Sequence, residues 1–208
     1  MYTTKTEIEN YLLTTIDATF DSQITTWISA AQEWIENYTD REFEANTQTN
    51  KYDGKGEHSL LIDDVMSVDT VWFTENDATG DAQTETLATT DYYLYQNNNP
   101  NKTPYNKMVI NPDGDQNVFE WGLQNIWIKG SFGYSTTVPA DIKMVTTKLV
   151  ASMVKPGKDG EIADYTEADL SVTYRAFDDI MDRDVGVKSV LDWYKKKDRI
   201  TGFNVKRG

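Results

Sequence analysis

The hydrophobic period of this chain switches from helical to strand-like and back, and that alternation restricts its fold more than any single motif. Within residues 21–39, Ile24, Trp27, Ile28, Ala31, Trp34, Ile35 and Tyr38 recur at steps of three and four. Such spacing draws one apolar stripe down a helix of about five turns. Asp21 or Ser22 stands where a side-chain cap is favoured. A shorter helix precedes it, because Thr4 and Glu7 have capping-box spacing and Ile8, Tyr11 and Leu12 follow at helical intervals.

From about residue 46 the pattern changes. NTQTNKYDGKGEHSLLIDD carries turn residues at Asp53-Gly54 and Gly56, then a short apolar run. SVDTVWFTE, DYYLYQ, NKMVINP, NVFEWG and QNIWIKGSFGY read as further strands, rich in Val, Ile, Tyr, Phe and Trp. The Thr/Asn-rich stretches at 74–90 and 96–105 read as exposed loops. Helical spacing returns after Pro139, a residue suited to a first helical position, with Asp141 at the positive end of the dipole. Ile142, Val145, Leu149 and Met153 then form a face that Pro156-Gly157 terminates. DLSVTYRAF reads as an extended segment, and Asp182 or Asp184 caps a last helix carrying Val187, Val190, Leu191 and Tyr194. The fold class expected is therefore α+β: a helical bundle of about four helices with a β-rich insertion between the second and third main helices. Residues 1–45 and 136–195 form the bundle, 46–135 the insertion, and 196–208 a basic C-terminal arm.

Charge and residue usage remove several functions. The 208 residues hold 34 Asp+Glu against 20 Lys+Arg, a formal charge of −14. The imbalance is uneven: residues 195–208 carry +5, from six Lys/Arg and Asp198, which leaves −19 on the rest. A body so acidic is unsuited to gripping phosphate backbones. No apolar run approaches about 18 residues, so no membrane span is expected. The opening MYTTKTEIENYLL lacks the basic-then-apolar layout of a secretory signal. Cysteine is absent, which excludes disulfides and thiolate chemistry, and a lone histidine, His58, excludes multi-histidine metal sites. His58 reads as a surface residue at a strand entrance.

The remaining chemical candidates have plainer readings. Neither GKG at 54–56 nor PGKDG at 156–160 completes a phosphate-binding loop. Asn111, Asp113, Asp115 and Asn117 alternate like calcium ligands, but the EF-hand glycine and glutamate positions hold Gln116 and Gly122, so a hydrated turn is expected. The pairs Asp63/Asp64, Asp178/Asp179 and Asp182/Asp184 lie in turn or helix-entry contexts, where aspartate caps, rather than in an evident glycosidase arrangement. No catalytic residue, metal ligand or cofactor site is expected. The aromatic strands keep open a carbohydrate-binding or adhesion module built on the β unit. The Trp27 and Trp34 stripe serves as core or as subunit contact.

Several segments together resemble the head–tail connector (adaptor) proteins of tailed bacteriophages. In DSQITTWISAAQEWIENYTDREFE the matching positions are Asp21, Ile24, Ala30, Ala31, Ile35, Tyr38, Thr39, Arg41 and Phe43. YDGKGEHSLLIDDVMSVDTVWF is similar to the family's Gly-x-Gly turn, Leu-Leu strand and Ser-Val-x-x-Val strand. Gly133, Tyr134, Val138, Pro139, Asp141 and Ile142 match the entry to its third main helix. DLSVTYR and VLDWYKKK look like its final strand and last helix, so the likeness spans roughly residues 4–195.

This resemblance implies a structural virion protein, not an enzyme. It implies a homo-oligomeric ring, typically of twelve copies, between the portal protein and the head–tail stopper or tail proteins. Double-stranded DNA would pass through the channel without specific binding. The protein would sit in the virion neck, after assembly in the host cytoplasm, without contact to membrane. The family's C-terminal segment implies a portal-docking role for Lys195, Lys196, Lys197, Arg199, Ile200, Phe203, Lys206 and Arg207. Ile24, Trp27, Ile28, Trp34, Ile35 and Tyr38 are expected to form core or subunit contacts.

Overall fold

The first helix begins where a capping box can close. Thr4 Oγ1 accepts the Glu7 amide at 3.2 Å, and Glu7 Oε2 accepts the Thr4 amide at 2.8 Å, satisfying orphan donors at the start of α1 (Lys5–Leu12). This is seen in a computed structural model, which describes residues 1–74, 83–96, 102–156, 162–164 and 170–196. The chain divides into two compact units, one of Met1–Arg41 with the residues from Val138 onward, the other of Glu42–Thr137.

In the helical unit, α2 (Asp21–Thr39) buries Ile24, Trp27, Ile28, Ala30, Ala31, Trp34 and Ile35 along one stripe. Its entrance differs from the expected one, for neither Asp21 nor Ser22 caps it. A 3-10 turn at Ala18–Phe20, capped by Asp17 through the Thr19 amide, leads straight in, so Asp21 is already helical. The Asp21 carboxylate instead lies in the first turn, where the dipole favours it, 2.5 Å from Lys5 Nζ. Pro139 occupies the slot just ahead of α3 (Ala140–Met153), with Asp141 in its first turn. That helix buries Ile142, Val145, Leu149 and Val150, and the Thr147 hydroxyl meets that of Thr3 at 2.7 Å.

Of the segment expected to be extended, residues 169–177, the described part from Leu170 is instead the start of a helix, α4 (Leu170–Arg183). Leu170, Val172 and Tyr174 alternate like a strand, but Leu170, Tyr174, Phe177 and Met181 also keep the helical period, and that period prevails. Phe177 is fully buried, its ring 5.9 Å from that of Trp34. Asp184 then caps α5 (Val185–Tyr194), accepting the amides of Gly186 at 2.9 Å and Val187 at 3.1 Å. Among the described residues five α-helices thus stand where about four were expected. None among the described residues is long and apolar enough to cross a membrane.

Between α2 and α3 the chain builds a six-stranded antiparallel sheet: β1 (Asn46–Gly54), β2 (Ser59–Thr74), β3 (Gln83–Leu87), β4 (Tyr92–Tyr95), β5 (Tyr105–Ile110) and β6 (Gly122–Phe132). The order is β1-β6-β2-β5-β4, with β3 also beside β2. SLLIDD and SVDTVWFT are parts of one continuous strand, β2, rather than two. Register shifts near Leu61–Val65 and Val65–Ser67 change its parity. Leu60 and Ile62 therefore share the buried face with Val65, Val71 and Phe73. Met108, Ile110, Ile126, Ile128 and Phe132 complete that core.

Two further expectations are corrected here. QTETL, placed in a loop, is strand β3; of its described side chains Leu87 is buried and Glu85 and Thr86 are exposed, too short a run for a periodic signal. NVFEWG is not a strand, because the chain turns there. Phe119 alone is buried, against Phe73, and its backbone is tied to Gly56 and Glu57 at 2.8 and 2.9 Å. At the base of the sheet unit its two ends are stapled together. Ala45 N donates to Ser135 O at 2.9 Å, Tyr134 N donates to Glu42 O at 2.8 Å, and Phe43 packs on Tyr134. Gly133, at φ +143°, permits this approach, since a Cβ there would lie 2.5 Å from Ala45 Cα. A separate two-strand ladder, β7 (Lys155–Pro156) with β8 (Ile162–Asp164), lies between α3 and α4 in the chain.

The Asp184 cap gives a pH signature. Lys148 Nζ, 2.9 Å away, and then the Val187 amide hold its carboxyl below the usual value of 3.8. A carboxyl whose pKa is lower folded than unfolded stabilises the fold above the unfolded value, and that contribution is lost as pH falls through the folded one. Thermal stability is expected to fall below about pH 4. The Asp184→Ala variant should lose about 1 kcal/mol at pH 7 and show a shallower acid decline than the parent.

Candidate interaction surfaces

The C-terminal arm starts from a clamp on the end of α2. The last carbonyls of a helix lack intrahelical donors, and here Lys196 N supplies one to Thr39 O at 2.9 Å. Arg41 Nε donates to Tyr194 O at 2.5 Å, and Tyr194 OH donates to the Asp141 carboxylate at 3.0 Å, tying α5 to the first turn of α3. Lys195 Nζ lies 4.6 Å from the centre of the Tyr38 ring, and Lys196 Nζ is 3.9 Å from Asp40. Both cations thus sit where the negative end of the α2 dipole favours them. Tyr38 OH donates to Asp192, a hydrogen bond that raises the tyrosine pKa and lowers that of the aspartate. The rest of the arm named above, Lys197, Arg199, Ile200, Phe203, Lys206 and Arg207, lies outside the described residues.

The stripe residues of α2 face their own unit. Ile24, Trp27, Ile28, Trp34 and Ile35 are buried, while Tyr38 is half-buried. Trp34 stacks on Tyr38 with centroids 5.7 Å apart, and its Nε1 donates to Asp178 at 3.2 Å. Other acidic candidates are also occupied locally. Asp63 accepts the Tyr52 hydroxyl at 3.1 Å, Asp179 faces Arg183, and Asp184 caps α5. Asn111 orders a turn after β5, its Oδ1 accepting the Asp113 amide and its Nδ2 donating to Thr90 O. Among the described residues no cluster of three His, Asp or Glu side chains is placed to hold a metal ion. His58 is exposed beside β2, with Nδ1 2.5 Å from Asn117 O.

Large apolar side chains reach solvent in both units. On α5, Val185 and Trp193 are 77% and 72% exposed and eight residues apart, so they share one helix face. In the sheet unit the loop entering β6 displays Trp121 (78%), and the start of β6 itself displays Leu123 (68%). The loop is rigidly held: buried Asn125 accepts the Gly54 amide at 2.9 Å and donates to Glu120 O at 3.1 Å, while Asp53 accepts the Gln124 amide at 2.7 Å. Gln124 adopts a left-handed φ of 50°, and the Trp121 indole lies over Gly56. Exposed aromatics on an ordered loop are what association surfaces favour. The sequence pattern assigns Trp121 to a strand; Gly122, directly after it, is the one local signal of a turn. On the solvent face of the sheet, Trp72 and Trp127 pack 5.6 Å apart with Lys51 Nζ 4.0 Å above Trp127.

This architecture, with helices at both ends of the chain and an antiparallel sheet between the second and third, has solved counterparts in the necks of phage-like particles. A chain in the neck of an empty gene transfer agent particle, computed with C6 symmetry, matches with a TM-score of 0.55 and 13% identity over 88% of this chain and 82% of that one. A chain in the neck of the native particle, computed with C12 symmetry, matches with 0.54 and 13% over 89% and 87%. A chain of the native gene transfer agent virion is more distant, at 0.45 and 15% over 76% and 77%. No protein-family model and no curated protein sequence matches the chain.

Removing an exposed anchor and removing its support should differ in cost. In urea unfolding, Trp121→Ala is expected to change stability by no more than about 0.5 kcal/mol. Asn125→Ala, which leaves buried backbone groups unpaired, should cost about 1–3 kcal/mol.

Proposed function

We propose that this protein is a head–tail connector: a structural component of a virion neck that assembles as a ring, of about twelve copies, between the portal and the stopper or tail proteins. The observation that carries this reading is the extent of the fold likeness, 88% of this chain and 82% of a neck chain, taking in the helices and the inserted sheet together. The family motifs in the sequence point the same way. The work proposed is mechanical, with no substrate turned over and no cofactor. Assembly takes place in the host cytoplasm, and the mature protein resides in the neck.

Physical features support each part. Copies carrying −19 outside the arm, set around a channel, would repel phosphate and let double-stranded DNA slide through. The +5 arm suits an acidic groove on the portal, with Ile200 and Phe203 as apolar anchors. The clamp at Lys196 and Tyr194 gives that arm a fixed point of departure.

Negative-stain microscopy and mass measurement of the full chain, alone and with the portal protein of its own virus, test the reading. Rings are expected, or monomers that become rings on the portal, because a weak contact is driven by a template. Deleting residues 197–208 keeps the Lys196 clamp and should abolish portal binding without unfolding the chain. A chain that stays monomeric with portal and is retarded on polysaccharide gels would instead support a carbohydrate-binding module.

A further inference from the structure

Among the described residues the inserted sheet has three outer strands: β1 pairs only with β6, β4 only with β5, and β3 only with β2, with β1 and β4 at the two ends of the strand order. Each outer strand therefore turns a row of amides and carbonyls away from the sheet. Among the described residues, Asn46–Asp53 and Tyr92–Tyr95 make no backbone-to-backbone hydrogen bond besides those ladders. Exposed edges of this kind are normally blunted by charged side chains, proline or bulges. Over its first seven residues β1 has only the charge of Lys51 among these. Its register runs unbroken from Asn46 opposite Phe132 to Tyr52 opposite Ile126, and Lys51 is its one charged residue there. Thr47, Thr49 and Lys51 are exposed along it. β4 is short and aromatic, Tyr-Tyr-Leu-Tyr, with Tyr93 47% exposed on the solvent face.

We infer that these two edges are the two halves of one contact, in which β1 of one copy adds to β4 of the next, so that the sheets run on around the ring. The inference rests on the ring reading above and names the surface that builds the ring. A second copy is the occupant because the complement of each edge is on the same chain, at the opposite side of the same sheet. Such a head-to-tail contact repeats until it closes, whereas β1 against β1 would stop at a two-fold dimer.

Strand direction follows as well. Each step along β1-β6-β2-β5-β4 is antiparallel, so β1 and β4 point the same way. In a ring of about twelve copies each is turned by about 30° from its neighbour, far too little to reverse a strand. The junction is therefore parallel, although every other pair in this sheet is antiparallel. A parallel ladder limited by the four residues of β4 is weak, in keeping with subunits that join on a template. Thr side chains of β1 beside Tyr side chains of β4 are favourable cross-strand neighbours.

The absence of cysteine makes the test clean. Cysteine is placed at Thr47, Thr49 or Lys51 on β1, singly or together with Tyr93→Cys or Tyr95→Cys on β4, in the full chain. Samples in which microscopy finds rings are treated with a short bis-maleimide, and denaturing gels are read. The double variants should give a ladder of dimers, trimers and higher species, and the single variants only monomers. The preferred β4 partner should advance from Tyr93 toward Tyr95 as the β1 cysteine advances along its strand. Rings that give no ladder overturn the edge contact while leaving the connector reading intact. Dimers from a single variant, or a partner order that runs backward, overturn it too. If no rings form with or without portal, the connector reading fails and the edge contact falls with it.

Discussion

One face of α2 organises the helical unit. α1, α3, α4 and α5 each contact that helix, and the buried stripe from Ile24 to Ile35 is what they share. Burying a side chain of this size stabilises by about 1.5–3 kcal/mol, so the stripe outweighs any single polar contact in the unit. The polar contacts have another task. Asp178 on the Trp34 indole, Asp141 on the Tyr194 hydroxyl and Arg41 on the Tyr194 carbonyl fix which turn of each helix meets which. Apolar burial holds the helices together, and a few directed hydrogen bonds choose the register.

Much of this was legible in the residues, and the reasons for the exceptions are physical. The stripe of α2 was readable because one period ran through five turns without a competing pattern. The capping box at Thr4 was readable because it uses side chains at a fixed offset, whereas the last helix's cap was narrowed only to Asp182 or Asp184. The start of α4 was not readable, since Leu170, Val172 and Tyr174 satisfy both periods over a short window. Strand β3 was missed because its partner β2, rather than its own composition, makes it a strand. The single run of β2 was split in two because a bulge reverses parity without leaving a mark on hydropathy.

The candidate surfaces divide in the same way. Charge asymmetry is additive along a chain, so the acidic body and basic arm could be counted directly. Exposure is not additive. Trp27 and Trp121 are the same residue type in aromatic-rich segments, yet one is buried and the other 78% exposed. Only the fold separates them: α2 has partners on its apolar side, while the loop before β6 is pinned by Asn125 with its indole facing out. The open edges of β1 and β4 were likewise invisible, because strand order depends on long-range pairing that periodicity does not encode.

The staple at Phe43, Ala45, Tyr134 and Ser135 bears on how such a chain reaches its folded form. Joining α2 to α3 through a free loop of more than ninety residues would cost about 3 kcal/mol more in closure entropy than joining them through a turn of about four. With the two ends of the sheet unit already bonded to each other, the helices meet as though across a hairpin. The bundle's contacts stay far apart in sequence, Thr3 meeting Thr147 for one, but the staple shortens the loop that they must close. The length of the sheet unit is then free to vary at little cost to that closure.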